Sequence, residues 1–138
     1  MPIEIDESDY PVVRVRVRGA CSDAEYDTYH RRVLQLLRQA DAGGVKMGVL
    51  TDGRESAGVT AGQRRAMVGF LEEHEALMKR ASAGLAMVVS NAIQRGVLTA
   101  ILWVRPIPSP HRVFSDVIEA ERWLRAQIGR DEPRACSL

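Results

Sequence analysis

Apolar and arginine residues alternate near the start of the chain. Over residues 11–18, valines and arginines fall on opposite faces of an extended segment: Val13, Val15, Val17, Arg14, Arg16 and Arg18. A period of two residues predicts a strand with one buried face, and the basic face is typical of a solvated or edge position in a sheet. Residues 3–6 form another extended segment, and the turn at 7–9 predicts that the two strands pair as a hairpin.

Further along the chain, apolar residues recur at steps of three and four, which is the spacing of amphipathic helices. The predicted helices span residues 23–40, 61–80, 92–104 and 116–128. Three of them begin with a capping box, in which a polar residue is followed three positions later by Glu or Gln: Ser22 with Glu25, Thr60 with Gln63, and Asp116 with Glu119.

Short apolar segments between the helices predict strands at 45–51, 84–90 and 112–114. Asp52 is expected at the carboxyl end of the first of these strands, followed by a loop over 53–59. Strands that alternate with helices favour right-handed crossovers. The fold class is therefore α/β: a mostly parallel sheet of four to five strands, with an antiparallel N-terminal hairpin at its edge and four helices. One domain is expected over residues 1–128, with a flexible tail at 129–138.

Composition and charge exclude several classes of function. The 138 residues carry 19 basic and 18 acidic side chains, and this balance argues against nucleic-acid binding through bulk charge. No apolar segment reaches the roughly 18 residues of a membrane span, and the acidic N-terminus argues against a signal peptide. Cys21 and Cys136 fit free thiols in a reducing cytoplasm. No spacing indicates a metal site, and no glycine motif indicates a cofactor.

Three segments carry a resemblance to a known family. The first is VLTD at 49–52 followed by VTAGQRRA at 59–66, the second is MVVSNAIQRGVLTAILWVRPIPSPH at 87–111, and the third is VFSDVIEAERWL at 113–124. They resemble the STAS domains of anti-sigma-factor antagonists and their SpoIIAA-like branch, which is related in fold to the CRAL-TRIO domains. The resemblance implies a cytoplasmic, non-enzymatic module that binds a protein partner and takes part in regulation.

In signalling STAS proteins, an Asp-Ser-Ser-Gly turn at the start of a helix carries the phosphorylated serine. The corresponding segment here is residues 59–62, where Ala61 stands in place of that serine and Gly62 matches the glycine. Thr60 keeps a hydroxyl one position earlier. Two roles stay open for Thr60, as the N-cap of the helix and as a phosphorylation site. Because helix N-termini favour anions, the same turn, together with Ser56, is also a candidate anion site.

The resemblance further implies an interaction surface at this end of the sheet. Charge on Thr60 or Ser56 would tune that surface. Its predicted members lie on the strand end, the two following helix starts and the loop before the last strand: Asp52, Arg64, Arg65, Arg95 and His111. Self-association into a homodimer is compatible with this interpretation.

Two other functions stay open. The helices at 61–80 and 92–104 are apolar on more than one face, so another element, an apolar ligand or a second subunit must cover them. By similarity to the CRAL-TRIO relatives, the alternative function is a small carrier for a lipid or other apolar ligand held between these helices and the sheet. An enzyme would require Asp52, Ser90 and His111 to share one cleft, and no nucleophile-elbow motif supports that arrangement.

Overall fold

A computed structural model describes residues 2–92, 94–96 and 107–131. At its centre lies a five-stranded sheet in the order β1 (Ile3–Asp6), β2 (Val12–Gly19), β3 (Met47–Ser56), β4 (Ser82–Val88) and β5 (His111–Phe114). β1 and β2 are antiparallel, and every other neighbouring pair is parallel. The predicted α/β fold with an N-terminal hairpin at the sheet edge is confirmed.

The helices with defined bounds are α1 (Asp23–Ala42), α2 (Ala61–Glu73), α3 (Glu75–Ala81) and α4 (Val117–Asp131). The prediction of one helix over 61–80 is wrong, because the backbone of His74 leaves the helical region and separates α2 from α3. Residues 92 and 94–96 are helical. The rest of the predicted helix at 92–104 and the tail from 132, including Cys136, lie outside the described residues.

β3 is longer than the sequence predicts. Instead of ending at Thr51 before a loop over 53–59, it continues to Ser56. Its last residues pair with β2, with Glu55 opposite Arg18 and Ser56 opposite Gly19. Asp52 is therefore inside a strand rather than at its end. The predicted loop is reduced to the residues between Ser56 and α2.

Helices cover both faces of the sheet. On one face, Val13, Val15 and Val17 of β2 and residues of β3 and β4 pack against α1 and α3, and half-buried apolar residues of α2 lie against the same cluster. On the other face, Leu50 of β3 and Val88 of β4 pack against α4. The Leu124 side chain lies directly over Gly48, where a Cβ atom would be 2.7 Å from Leu124 Cδ1. The absence of a side chain at Gly48 thus lets α4 approach the sheet closely.

The second face is not covered throughout. α4 packs on β3, β4 and β5, which leaves the arginine face of β2 beside it. Arg14, on that face, bridges Asp9 and Glu121 of α4, while Arg16 and Arg18 are exposed. Of the two predicted alternatives, the solvated sheet face is confirmed at Arg16 and Arg18, whereas β2 is an inner strand and not an edge strand.

Candidate functional site

The carboxyl ends of β2, β3 and β4 lead into helix starts at one edge of the sheet, here called the carboxyl edge. α1 follows β2, α2 follows β3, and the helical segment at 92 and 94–96 follows β4. In open α/β sheets, ligands and partners usually meet this edge, because the loops that join strands to helices lie there. Most of the predicted site residues belong to it.

The predicted capping box at α2 is present. The Thr60 hydroxyl accepts from the Gln63 backbone N–H at 3.1 Å, and Gln63 Oε1 accepts from the Thr60 N–H at 2.9 Å. Gln63 is also only 6% exposed. Its Nε2 donates to the Cys21 carbonyl at 2.9 Å and to Asp23 Oδ1 at 3.0 Å. One buried amide therefore caps α2 and ties it to the start of α1, a role the capping spacing alone does not indicate.

A second amide ties the next helix start to the sheet. Asn91 Oδ1 accepts from the Gln94 N–H at 2.8 Å, and Gln94 Oε1 accepts from the Ser90 N–H at 2.7 Å. Gln94 Nε2 donates to the carbonyl of Ser56, at the end of β3, at 3.4 Å. Gln94 is not among the residues predicted from the sequence. Its signal is a polar residue three positions after Asn91, the same spacing as in the predicted boxes.

The three residues of the candidate phosphorylation or anion site lie in different surroundings. Thr60 is exposed, and a Cβ built on Gly62 would lie 3.9 Å from Thr60 Oγ1 and 3.8 Å from Arg65 Nη2. Thr60, Gly62 and Arg65 therefore share one patch. Ser56 is half-buried at the end of β3, and its hydroxyl accepts from the Gly58 N–H at 3.1 Å.

Replacing Thr60 by alanine is expected to lower the free energy of unfolding by about 1 kcal/mol, because the Gln63 N–H loses its acceptor. Urea unfolding measures the loss. Thr60→Ser keeps the hydroxyl and serves as the matched control, with stability close to that of the wild type. If both variants lost the same stability, the cap would not be the source of it.

Asp52 faces away from α2. Leu50 and Asp52 are two residues apart on β3, so both lie on the face that α4 covers in part. α2 packs against the other face. Between the pairs Arg16 with Asp52 and Arg18 with Glu55, β3 has one residue more than β2, which is a β-bulge. The bulge turns Glu55 to the same face as Asp52, opposite the arginines of β2.

Charges on this face neutralise one another. Arg54 Nε and Nη2 donate to the two Asp52 oxygens at 2.9 and 2.8 Å, and Arg18 Nε lies 3.2 Å from Glu55 Oε2. The hydrogen bonds from Arg54 hold the pKa of Asp52 below its ordinary value. A surface cleft of about 270 Å³ is lined by Asp52, Arg54, Glu55 and Arg16. An ionised carboxylate that two arginine nitrogens already occupy is a poor general base.

His111 and Arg95 are separated from these groups. His111 begins β5 and pairs with Leu85, whereas Asp52 pairs with Val88. This register places the Cα atoms of Asp52 and His111 roughly 14 Å apart, three residues along the sheet and two strands across it. His111 Nδ1 lies 2.9 Å from the Ser109 carbonyl. Arg95 is exposed at the helix start after β4.

The structure therefore divides the predicted surface. It brings Thr60, Gly62 and Arg65 together, places Asp52 on the other side of the sheet, and puts His111 toward the opposite edge. Ser90 Oγ donates to the Arg54 carbonyl at 3.3 Å. The Asp52, Ser90 and His111 cluster that an enzyme would need is not formed.

Three further expectations concern a metal site, a membrane span and an apolar cavity. Within residues 2–92, 94–96 and 107–131, no group of three or more His, Cys, Asp or Glu residues is placed to hold a metal ion. In the same part of the chain, no helix combines the length and hydrophobicity needed to cross a bilayer. The predicted apolar cavity between α2 and the helix at 92–104 falls largely outside the described residues and stays a prediction.

Comparisons with known protein families and solved structures give matches over most of the chain. A family model described as SpoIIAA-like matches residues 12–125. An uncharacterised protein with a SpoIIAA-like fold from Shewanella loihica PV-4 is 19% identical, with a TM-score of 0.61 over 88% of this chain and 91% of that chain. An anti-sigma factor antagonist from Mycobacterium paratuberculosis is 11% identical, with a TM-score of 0.57 over 89% and 92%. No curated protein matches the sequence.

Proposed function

This chain belongs to the SpoIIAA-like family, and on that premise we propose that it is a regulatory module that acts by binding a protein partner and has no enzymatic activity of its own. The proposed contact surface, here called the α2 surface, consists of Thr60, Gly62, Arg64 and Arg65. The neighbouring helix start with Arg95 extends it. The similarity in fold to an anti-sigma factor antagonist supports a regulatory role.

One observation carries the proposal. Arg64 and Arg65 lie in the first two turns of α2, and neither forms an ion pair with any described residue. The first turn of α2 also contains no acidic residue. Cations near a helix N-terminus are unfavourable, because that end already carries a partial positive charge. A partner that presents carboxylates or a phosphate would supply the missing negative charge.

The rigidity of the α2 surface supports binding as well. The Gln63 amide fixes the start of α2 against α1, and the Gln94 amide fixes the next helix start against β3. A surface that is ordered before it meets a partner loses less conformational entropy on association. By contrast, the carboxylate of Asp52 and the imidazole of His111 are too far apart to act on one substrate.

The test compares charge reversals on two sides of the protein. Arg64→Glu together with Arg65→Glu is expected to weaken binding of the natural partner by more than tenfold, because both charges would face the acidic partner with the wrong sign. Native pull-down from the source cells identifies the partner, and calorimetry with the purified partner measures the loss. The matched control reverses Arg38 and Arg122, which are exposed on α1 and α4 away from this surface.

Binding that survives reversal at Arg64 and Arg65, or that is lost equally in the control, would exclude the α2 surface. Light scattering of the isolated chain tests the homodimer prediction in the same experiment. A dimer that dissociates only in the Arg64 and Arg65 variant would identify a second copy as the partner.

A further inference from the structure

The free edge of β1 presents backbone groups that the fold does not use. β1 is the outermost strand on its side of the described sheet. The Arg18 N–H donates to the Pro2 carbonyl at 2.7 Å, so residues 2, 4 and 6 form the hydrogen-bonded pairs with β2. The N–H and C=O groups of Ile3 and Ile5 therefore point outward, and no described residue bonds to them. An edge of this kind accepts an added strand.

An apolar groove accompanies this edge on the face toward α1. The groove has a volume of about 180 Å³, and its lining includes Ile3 and Ile5 of β1 and Tyr29 of α1. Glu25 also lines the groove. A strand that is added to β1 would direct alternate side chains to this face, where an apolar side chain fills the groove.

The opposite face of β1 is acidic. Glu4 shares its cation with Glu55, because Arg18 lies 3.6 Å from Glu4 and 3.2 Å from Glu55. Asp6 accepts hydrogen bonds from Ser8 and has no ion pair among the described residues. Basic side chains on an added strand would therefore face two carboxylates that are incompletely neutralised.

The bonded edge of β1 shows which sequence fits. There β1 meets β2, whose valines lie beside Ile3 and Ile5 and whose arginines lie beside Glu4 and Asp6. A strand that is added at the free edge would meet the same side chains of β1, with Ile3 and Ile5 on one face and Glu4 and Asp6 on the other. We propose that the free edge of β1 binds an extended segment of a partner protein in which apolar and basic side chains alternate.

A second copy of this chain fits the same edge poorly. Two β1 strands paired edge to edge would place the carboxylates of Glu4 and Asp6 from both copies on one face. Like charges that face each other across a strand pair are destabilising. This repulsion favours a different, basic partner over self-association through β1.

A synthetic peptide tests the proposal directly. The probe is a capped hexapeptide of alternating arginine and valine, and the controls are its glutamate analogue and a peptide with three arginines followed by three valines. Titration followed by two-dimensional NMR is expected to shift the amides of Ile3 and Ile5 and the residues of the groove with the alternating basic peptide. The control peptides are expected to bind at least about tenfold more weakly.

Two variants locate the binding. Ile5→Pro removes an outward N–H without touching a hydrogen bond to β2, so it is expected to abolish binding. Glu4→Lys with Asp6→Lys is expected to reverse the preference toward the glutamate peptide, while Glu119→Lys, on α4, is expected to change nothing. Circular dichroism checks that each variant is folded. If Ile5→Pro does not fold, the charge reversal decides the matter.

The proposal is overturned if all three peptides bind equally, if folded Ile5→Pro still binds, or if the shifts map away from β1. The variant with reversed Arg64 and Arg65 is expected to bind the peptide normally. The outcome at β1 is therefore independent of whether the α2 surface binds its own partner.

Discussion

Replacing Leu124 by alanine is expected to lower the free energy of unfolding by about 3 kcal/mol, within the range of about 2–5 kcal/mol for buried leucines. Leu124 is 0% exposed and holds α4 against β3 through its contact with Gly48. Truncation removes buried methyl groups and leaves a cavity that the glycine cannot fill. Guanidinium unfolding measures the change as a lower midpoint with an unchanged slope.

The control for this prediction lies on the same helix. Ile118 is 66% exposed, and Ile118→Ala removes as many atoms as Leu124→Ala but is expected to change the stability by less than about 0.5 kcal/mol. The comparison separates burial from helix propensity, because both substitutions place alanine in α4. Similar losses in the two variants would contradict the packing of α4 on the sheet.

Replacing Gln63 by leucine is expected to cost about 2 kcal/mol. Leucine has a similar size, but it leaves the Cys21 carbonyl without a donor and the Thr60 N–H without an acceptor. Each unsatisfied buried polar group costs about 1–3 kcal/mol, and local relaxation reduces the sum. Gln39→Leu, on the exposed side of α1, is the matched control and is expected to be neutral.

The glutamate variant at the same position adds a dependence on pH. Gln63→Glu places a carboxyl group at the buried site beside Asp23 and the Cys21 carbonyl. Burial and the neighbouring carboxylate raise the pKa of an acid in the folded state. Relative to the wild type, the variant is therefore most stable at low pH and loses stability as the pH rises past about 4.3. A pH-independent loss would show that the new carboxyl group is solvated.

Sequence reasoning works best where one periodicity dominates. The valine and arginine alternation of β2 and the stripe of α1 each have a single buried face, so strand, helix and hairpin follow directly. The capping boxes at Ser22 and Thr60 depend only on residues three positions apart, and both are formed as predicted. Local interactions of this kind are encoded in short segments of the chain.

The end of β3 escapes such reasoning for a physical reason. Residues 52–56 have the charged composition of a turn. Pairing with β2 and the ion pair between Arg18 and Glu55 hold them in the strand. The break at His74 is equally hidden, because the apolar positions of α2 and α3 continue across it. The bridging roles of Gln63 and Gln94 depend on partners 42 and 38 residues away.

The candidate site is thus only partly predictable. Thr60, Gly62 and Arg65 lie close together because they belong to the start of one helix, and this proximity is predictable. The position of His111 depends instead on how β5 is aligned with β4. The order of the strands along the chain does not determine which residues of β4 and β5 are paired. The face on which Asp52 lies is equally hidden, because successive residues of a strand point to opposite faces of the sheet.

The bulge in β3 also alters how positions correspond between related proteins. One residue between Asp52 and Glu55 has no counterpart on β2. If only the residues of β3 that have a partner on β2 are counted, the number of positions from Asp52 to Thr60 is therefore smaller by one than along the chain. That offset equals the single position that separates Thr60 from Ala61, so the residue that matches the serine of a relative depends on whether the relative carries the same insertion.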